Sequence, residues 1–127
     1  MMVVDTSALI AIALGEPQAE ACSAALAAEA ALVISAGTVA ESLIVAERRG
    51  VGHEVRRLID GLGFETAHVT LAVARRIAQA YGQWGKGVHP AGLNLGDCFA
   101  YELAKDRECR LLFVGDDFTK TDIESVL

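Results

Sequence analysis

The chain has 127 residues, enough for one domain with a real core, and 53% of them are apolar, which excludes a disordered chain. Its net charge of −6 and sequence pI near 4.9 argue against broad, non-specific binding to nucleic acid, which wants a basic surface. No apolar run approaches the roughly 18 residues of a membrane-crossing helix, and the start has no basic n-region, so no membrane association and a cytoplasmic location are expected. Cys22, Cys98 and Cys109 are odd in number and lack metal-ligand spacing, so reduced thiols are expected.

Met2 to Val4 reads as a strand that stops at Asp5-Thr6-Ser7, and Ser7 to Leu14 as a helix broken by Gly15 and Pro17. Gln18 to Ala30 is an alanine-rich helix, and Leu32 to Ser35 a second strand. Thr38 with Glu41 three residues on matches a capping box for a helix running to Arg49 and ending at Gly50. Val51 to Leu62 puts Val55, Leu58, Ile59 and Leu62 on one helical face. Phe64 to Val69 is a third strand. Thr70 caps a helix to about Trp84 whose apolar side holds Leu71, Val73, Ala74, Ile77, Ala78 and Tyr81. Residues 85–92 form a glycine-rich loop, Leu93 to about Asp106 a helix, and Arg110 to Val114 a fourth strand, followed by a short tail. Strands alternating with helices predict an α/β three-layer sandwich, a single domain over residues 1–127 with a mostly parallel sheet of four to five strands.

Four acidic positions fall at element boundaries: Asp5 after the first strand, Glu41 in the first turn after the second, Asp97 early in the late helix, and the pair Asp116/Asp117 after the fourth strand. In a parallel sheet these boundaries share one edge, where ligands bind in open α/β folds. Each has a duller explanation. Asp5 could cap a helix, Glu41 could be the partner of the Thr38 cap, Asp97 could answer a helix dipole, and Asp116/Asp117 could be turn residues. Their agreement on one edge favours a shared pocket. Carboxylates packed together take up protons unless a cation is present, and an all-oxygen ligand set suits Mg²⁺ or Mn²⁺.

The stretches Val3-Val4-Asp5-Thr6-Ser7-Ala8-Leu9, Ser35-Ala36-Gly37-Thr38-Val39-Ala40-Glu41, Leu93-Asn94-Leu95-Gly96-Asp97-Cys98-Phe99-Ala100-Tyr101 and Leu111-Leu112-Phe113-Val114-Gly115-Asp116-Asp117-Phe118, with Thr121-Asp122, follow in an order that resembles a PIN domain of the VapC toxin type. The resemblance implies a metal-dependent endoribonuclease, the toxin of a type II toxin–antitoxin pair, that cleaves RNA phosphodiester bonds with a metal-activated water. It implies Asp5, Glu41 and Asp97 as the first three acidic groups, with Asp5 and Asp97 binding Mg²⁺ directly. Asp116 and Asp117 both compete for the fourth place, and Asp117 is favoured. Thr6 or Ser7 would hold a water or a phosphate oxygen. Asn94 would position substrate or brace the Asp97 helix, and Arg48 and Arg49, on the Glu41 helix, would hold flanking phosphates. A VapB-type antitoxin segment would lie on the first two helices and the Glu41 helix, and a homodimer would use the helix from Thr70 to Trp84.

Two other classes stay open at this point. A phosphatase or phosphotransferase would use Asp5 as nucleophile, but normally wants a second aspartate two residues on, where Ser7 stands. A non-catalytic RNA- or protein-binding module would keep the fold without the chemistry, yet all four acidic positions are filled.

Overall fold

The computed structural model describes residues 1–127. Four strands, β1 (Met2–Val4), β2 (Leu32–Ser35), β3 (Glu65–Ala67) and β4 (Arg110–Leu112), form one sheet in the order β3-β2-β1-β4. All three pairings are parallel. The helices are α1 (Thr6–Leu14), α2 (Ala19–Ala28), α3 (Ala36–Arg48), α4 (Gly52–Gly61), α5 (Leu71–Trp84) and α6 (Leu95–Asp106). A 3₁₀ turn spans Asp117–Lys120, and the tail then bridges alongside β4 at Leu111↔Ser125.

Alternation along the strands builds the three layers. Val3, Val33 and Leu111 face the core made with α5 and α6. Met2, Val4, Leu32, Ile34 and Leu112 face the opposite way, onto Ala8 and Leu9 of α1 and Cys22 and Leu26 of α2. Both faces are covered, as a parallel sheet requires. The three cysteines are free thiols.

β1 and β4 set the position of the site. Successive connections step outward from β1 to β2 to β3, and the chain then returns to the other side of β1 as β4. β1 therefore flanks the point where strand order reverses, and the crevice at its carboxyl end is the natural ligand position. Asp5 stands there, its backbone N–H donating to the carbonyl of Leu112.

Several local readings change. The third and fourth strands are shorter than the sequence suggests. β4 pairs only as far as Val4↔Leu112, because β1 gives way to α1 at Asp5. β3 pairs only with Val33 to Ser35. The helix carrying Glu41 is capped by Ser35, whose hydroxyl accepts from Gly37 N–H at 3.2 Å, and not by Thr38. Thr38 is fully buried inside the first turn, and its hydroxyl has no partner. Thr70 does cap α5, but Leu71 is 69% exposed and Tyr81 38%. The α5 stripe that packs on the core holds Val73, Ile77, Ala80 and Trp84, while Leu71, Ala74, Ala78 and Tyr81 are exposed.

Candidate active site

The first strand delivers a carboxylate held by its own neighbours. Asp5 caps α1: its Oδ2 accepts from Ser7 N–H at 3.1 Å and from the Ser7 hydroxyl at 2.6 Å. The Ser7 oxygen in turn accepts from Val114 N–H at 3.0 Å. One hydroxyl thus ties the ends of β1 and β4 together and fixes the Asp5 side chain between them. Asp5 Oδ1, by contrast, is buried and has no hydrogen-bond partner. A buried, unpartnered carboxylate oxygen costs on the order of 1–3 kcal/mol unless something completes it.

Glu41 reaches the same cleft from α3. Its Oε1 accepts from the Thr6 hydroxyl at 2.6 Å, and Thr6 Oγ1 lies 3.0 Å from Ser42 Oγ. Glu41 is therefore held by the residue next to Asp5 and takes no part in capping its own helix. Asp97 is the third residue of α6. Its backbone N–H donates to the Asn94 side-chain oxygen at 2.8 Å, and its Oδ2 accepts from Asn94 N–H at 3.0 Å, a full capping box. Asn94 thus braces the Asp97 helix.

Two glycines let α3 and α6 approach closely. A Cβ at Gly96 would land on the Glu41 carboxylate, and a Cβ at Gly37 would land on the Phe99 ring. Each helix receives a side chain of the other in a notch where it has none.

Asp5, Thr6, Ser7, Glu41 and Asp97 line one cleft with Ile10, Glu16, Val45, Val114 and Gly115. Burial pushes the Asp5 carboxyl up to about 6, opposed by the Ser7 bonds and assisted by the charge of Glu41. Burial likewise pushes Asp97 up to about 7; the Asn94 bond opposes this, while Asp5, Asp117 and Glu41 add repulsion. Glu16, half-buried just beyond α1, is a further acidic residue of the cleft that the sequence reading missed. Its only signal was its place after a helix-ending glycine.

The donor set is suited to a hard cation. Each of the three central carboxylates commits one oxygen to the protein, and the bonds leave Asp5 Oδ1, Glu41 Oε2 and Asp97 Oδ1 uncommitted. No three of the acidic, histidine or cysteine side chains are arranged so that they could hold a metal ion by themselves. An ion here would be held by fewer carboxylates directly and reach the others through water, a mode that Mg²⁺ commonly uses.

The other candidate residues fall differently. Asp117 opens the 3₁₀ turn and its charge adds to the repulsion on Asp97, Asp116 precedes the turn, and neither lines the cleft. The hydroxyls of Thr6 and Ser7, read from sequence as holding a water or phosphate, are engaged with Glu41 and Asp5. Arg48 and Arg49 sit at the far end of α3, about 10 Å along the axis from Glu41; they are exposed and do not line the cleft.

The PIN domain family matches residues 2–124. Ribonuclease VapC42 of Mycobacterium tuberculosis is 43% identical over 126 residues, covering 96% of each chain. Ribonuclease VapC30 of the same organism is 42% identical over 131 residues, covering 98% of each. Among solved structures, the sarcin–ricin-loop-cleaving toxin VapC20 of M. tuberculosis superposes with a TM-score of 0.82 at 13% identity, over 99% of this chain and 98% of that one. A chain of a toxin–antitoxin complex from Klebsiella pneumoniae gives 0.70 at 21% identity, over 96% and 93%.

Proposed function

The chain belongs to the PIN domain family, in its VapC ribonuclease group, and we propose that its acidic cleft is the active site of a Mg²⁺-dependent endoribonuclease acting as the toxin of an antitoxin pair. It is a hydrolase of RNA, and VapC ribonucleases of this family depend on a metal ion. The observation that carries the site assignment is Asp5: its Oδ1 is buried with no partner in the protein, and the residue lines a cleft shared with Glu41 and Asp97.

Asp5 and Asp97 are the direct ligands in this reading, with Glu41 and Asp117 acting directly or through water. Bound Mg²⁺ supplies a water acidified towards neutrality and a positive charge that offsets the attacked phosphate. The protein's own part is orientation. Ser7 and Val114 fix the plane of the Asp5 carboxylate, Thr6 and Ser42 steady Glu41, and the Asn94 cap steadies Asp97. Without a cation these carboxylates and Glu16 repel a phosphate, so RNA should enter only the ion-loaded cleft. The expected products carry a 5′-phosphate and a 3′-hydroxyl. An aspartyl-phosphate mechanism would need an acid–base group where Ser7 stands, and that hydroxyl is already engaged on both sides.

Two partner surfaces accompany the site. A groove lined by Ile12 and Ala13 of α1 and Arg57, Leu58 and Leu62 on and just after α4 suits an amphipathic antitoxin segment. The apolar hollow between α5 and α6, lined by Val69, Ile77, Tyr81, Leu95 and Phe99, suits a second copy of the chain. No helix is long and apolar enough to cross a membrane.

The test is cleavage of defined RNAs with Mg²⁺, with Mn²⁺ and with EDTA, followed by analysis of the new ends. Cutting that needs the ion and vanishes in Asp5→Asn supports the proposal. RNA left intact in both ions, or cutting indifferent to EDTA, overturns it.

A further inference from the structure

The helix that carries Asp97 also carries a grip on the tail. Asp97, Tyr101 and Lys105 follow at four-residue steps on α6 and so share one stripe. The Tyr101 hydroxyl donates to Asp122 Oδ1 at 2.7 Å, and Lys105 Nζ donates to Asp122 Oδ2 at 2.9 Å. Trp84 Nε1–H donates to the Tyr101 oxygen at 2.8 Å. An indole N–H is only a donor, so the tyrosine proton is left to point at Asp122.

The tail between these points is stiff. The Thr119 hydroxyl donates to the Asp116 carbonyl at 2.6 Å, the Thr121 hydroxyl donates to the Phe118 carbonyl at 2.7 Å, and Ile123 N–H donates back to Thr121 Oγ1 at 3.2 Å. Phe118 is buried, its ring 5.1 Å from that of Phe113. Phe118 holds the middle of the segment, and backbone bonds of Leu111 with Glu124 and Val126 hold its far end. Between them Asp122, five residues beyond Asp117, adds a side-chain anchor, and it is fastened to the stripe that presents Asp97.

We infer that Tyr101 and Lys105 are positioning residues: by gripping Asp122 they set where Asp117 stands relative to Asp97. This rests on the reading that those two carboxylates serve one bound cation. Tyr101 carries the larger share, because its hydroxyl is shielded and doubly bonded, whereas the Lys105–Asp122 pair is exposed and such pairs are weak.

The experiment uses the full chain and four variants: Tyr101→Phe, Asp122→Ala, Asp122→Asn and Asp117→Asn. Mn²⁺ affinity is measured by calorimetry and amide hydrogen exchange is followed at residues 117–121. Tyr101→Phe and Asp122→Ala should each bind Mn²⁺ about tenfold more weakly, with faster exchange at residues 117–121. Asp122→Asn, which keeps an acceptor for the tyrosine, should retain most of the affinity. In an Asp117→Asn background, Tyr101→Phe should weaken binding no further. In RNA cleavage the half-saturating Mn²⁺ should rise about tenfold while the saturated rate holds.

Unchanged affinity with faster exchange makes the grip merely structural and overturns the inference. So does weaker binding with unchanged exchange, or an equal loss in the Asp117→Asn background. If the parent protein binds Mn²⁺ but cuts no RNA, only the nuclease reading fails. If it binds no Mn²⁺, both fail.

Discussion

The two halves of the proposed ion site are built by different means: three carboxylates line the cleft, and Asp117 stands outside its lining. Asp5, Glu41 and Asp97 are bonded within the body of the fold, Asp5 and Asp97 to residues two and three positions away and Glu41 to Thr6, the neighbour of Asp5. Asp117 lies on an exposed turn and owes its place to anchors elsewhere along the tail. The first half is preorganised, at the cost of repulsion among like charges in a buried place. The second half keeps its charge near water, where it costs little, and leaves one side of the site less firmly held. The difference suggests that stability and ion binding are traded in the first half and tuned in the second.

The sharpest way to break this division is to remove a central carboxylate. Asp97→Ala should lower RNA cleavage by roughly 10³-fold or more at saturating Mg²⁺, measured as initial rates on a defined substrate. A loss under tenfold would show that the buried half is not the reacting half.

Gly96→Ala is next. The added methyl would meet the Glu41 carboxylate, so α3 must back away. A misplacement of about 1 Å should cost about 10²-fold in rate, and overpacking roughly 1–3 kcal/mol of stability. A variant with the parent's rate and melting temperature would mean that the close approach does not define the site.

The third test concerns protons. Burial holds the folded-state pKa of Asp5 at about 6 and that of Asp97 at about 7, against 3.8 for an ordinary aspartate. The folded protein therefore binds more protons than the unfolded chain between about pH 4 and 7. In EDTA its stability should fall as the pH rises through that window, and level off above it. Asp97→Asn should relieve this, stabilising the metal-free protein by on the order of 2 kcal/mol above pH 7 and giving no such gain below pH 4. Denaturant melts across the range would check both signs, and stability that climbed from pH 4 to 7 would contradict the electrostatic account.

The smallest effects separate the adjacent aspartates. Asp117→Asn should weaken cleavage about tenfold at limiting Mg²⁺, and Asp116→Asn less than about twofold, as for other exposed charges. Equal effects would erase the distinction between them.

Strand, helix and edge were legible because hydrophobic runs and breakers carry them directly. Asp5, Glu41 and Asp97 were legible because each falls at an element boundary. What the sequence hid depended on which neighbour a side chain would find. Thr38 and Glu41 have capping-box spacing, yet Ser35 stands closer to the strand end and takes the cap, which frees Glu41 for Thr6. Thr6 and Ser7 line the cleft as the sequence suggests, but it did not show the bonds their hydroxyls make to partners as distant in sequence as Glu41 and Val114. Arg48 and Arg49 share a helix with Glu41, but a helix has two ends, and α3 carries them away from the cleft. Leu71 and Tyr81 fit the period of a buried face; only the width of the α5–α6 contact decides which apolar residues are covered.

Gly37 and Gly96 have a consequence for motion. Phe99 sits in one helix's notch and Glu41 in the other's, so α3 and α6 are keyed together in both senses. Sliding either helix along its partner would have to unseat both keys at once, which closes off the small shear shifts that packed helices otherwise allow. The spacing of α3 and α6 is thus set by two absent side chains, and any breathing of the mouth is left to the segment after β4, where Val114 and Gly115 line it.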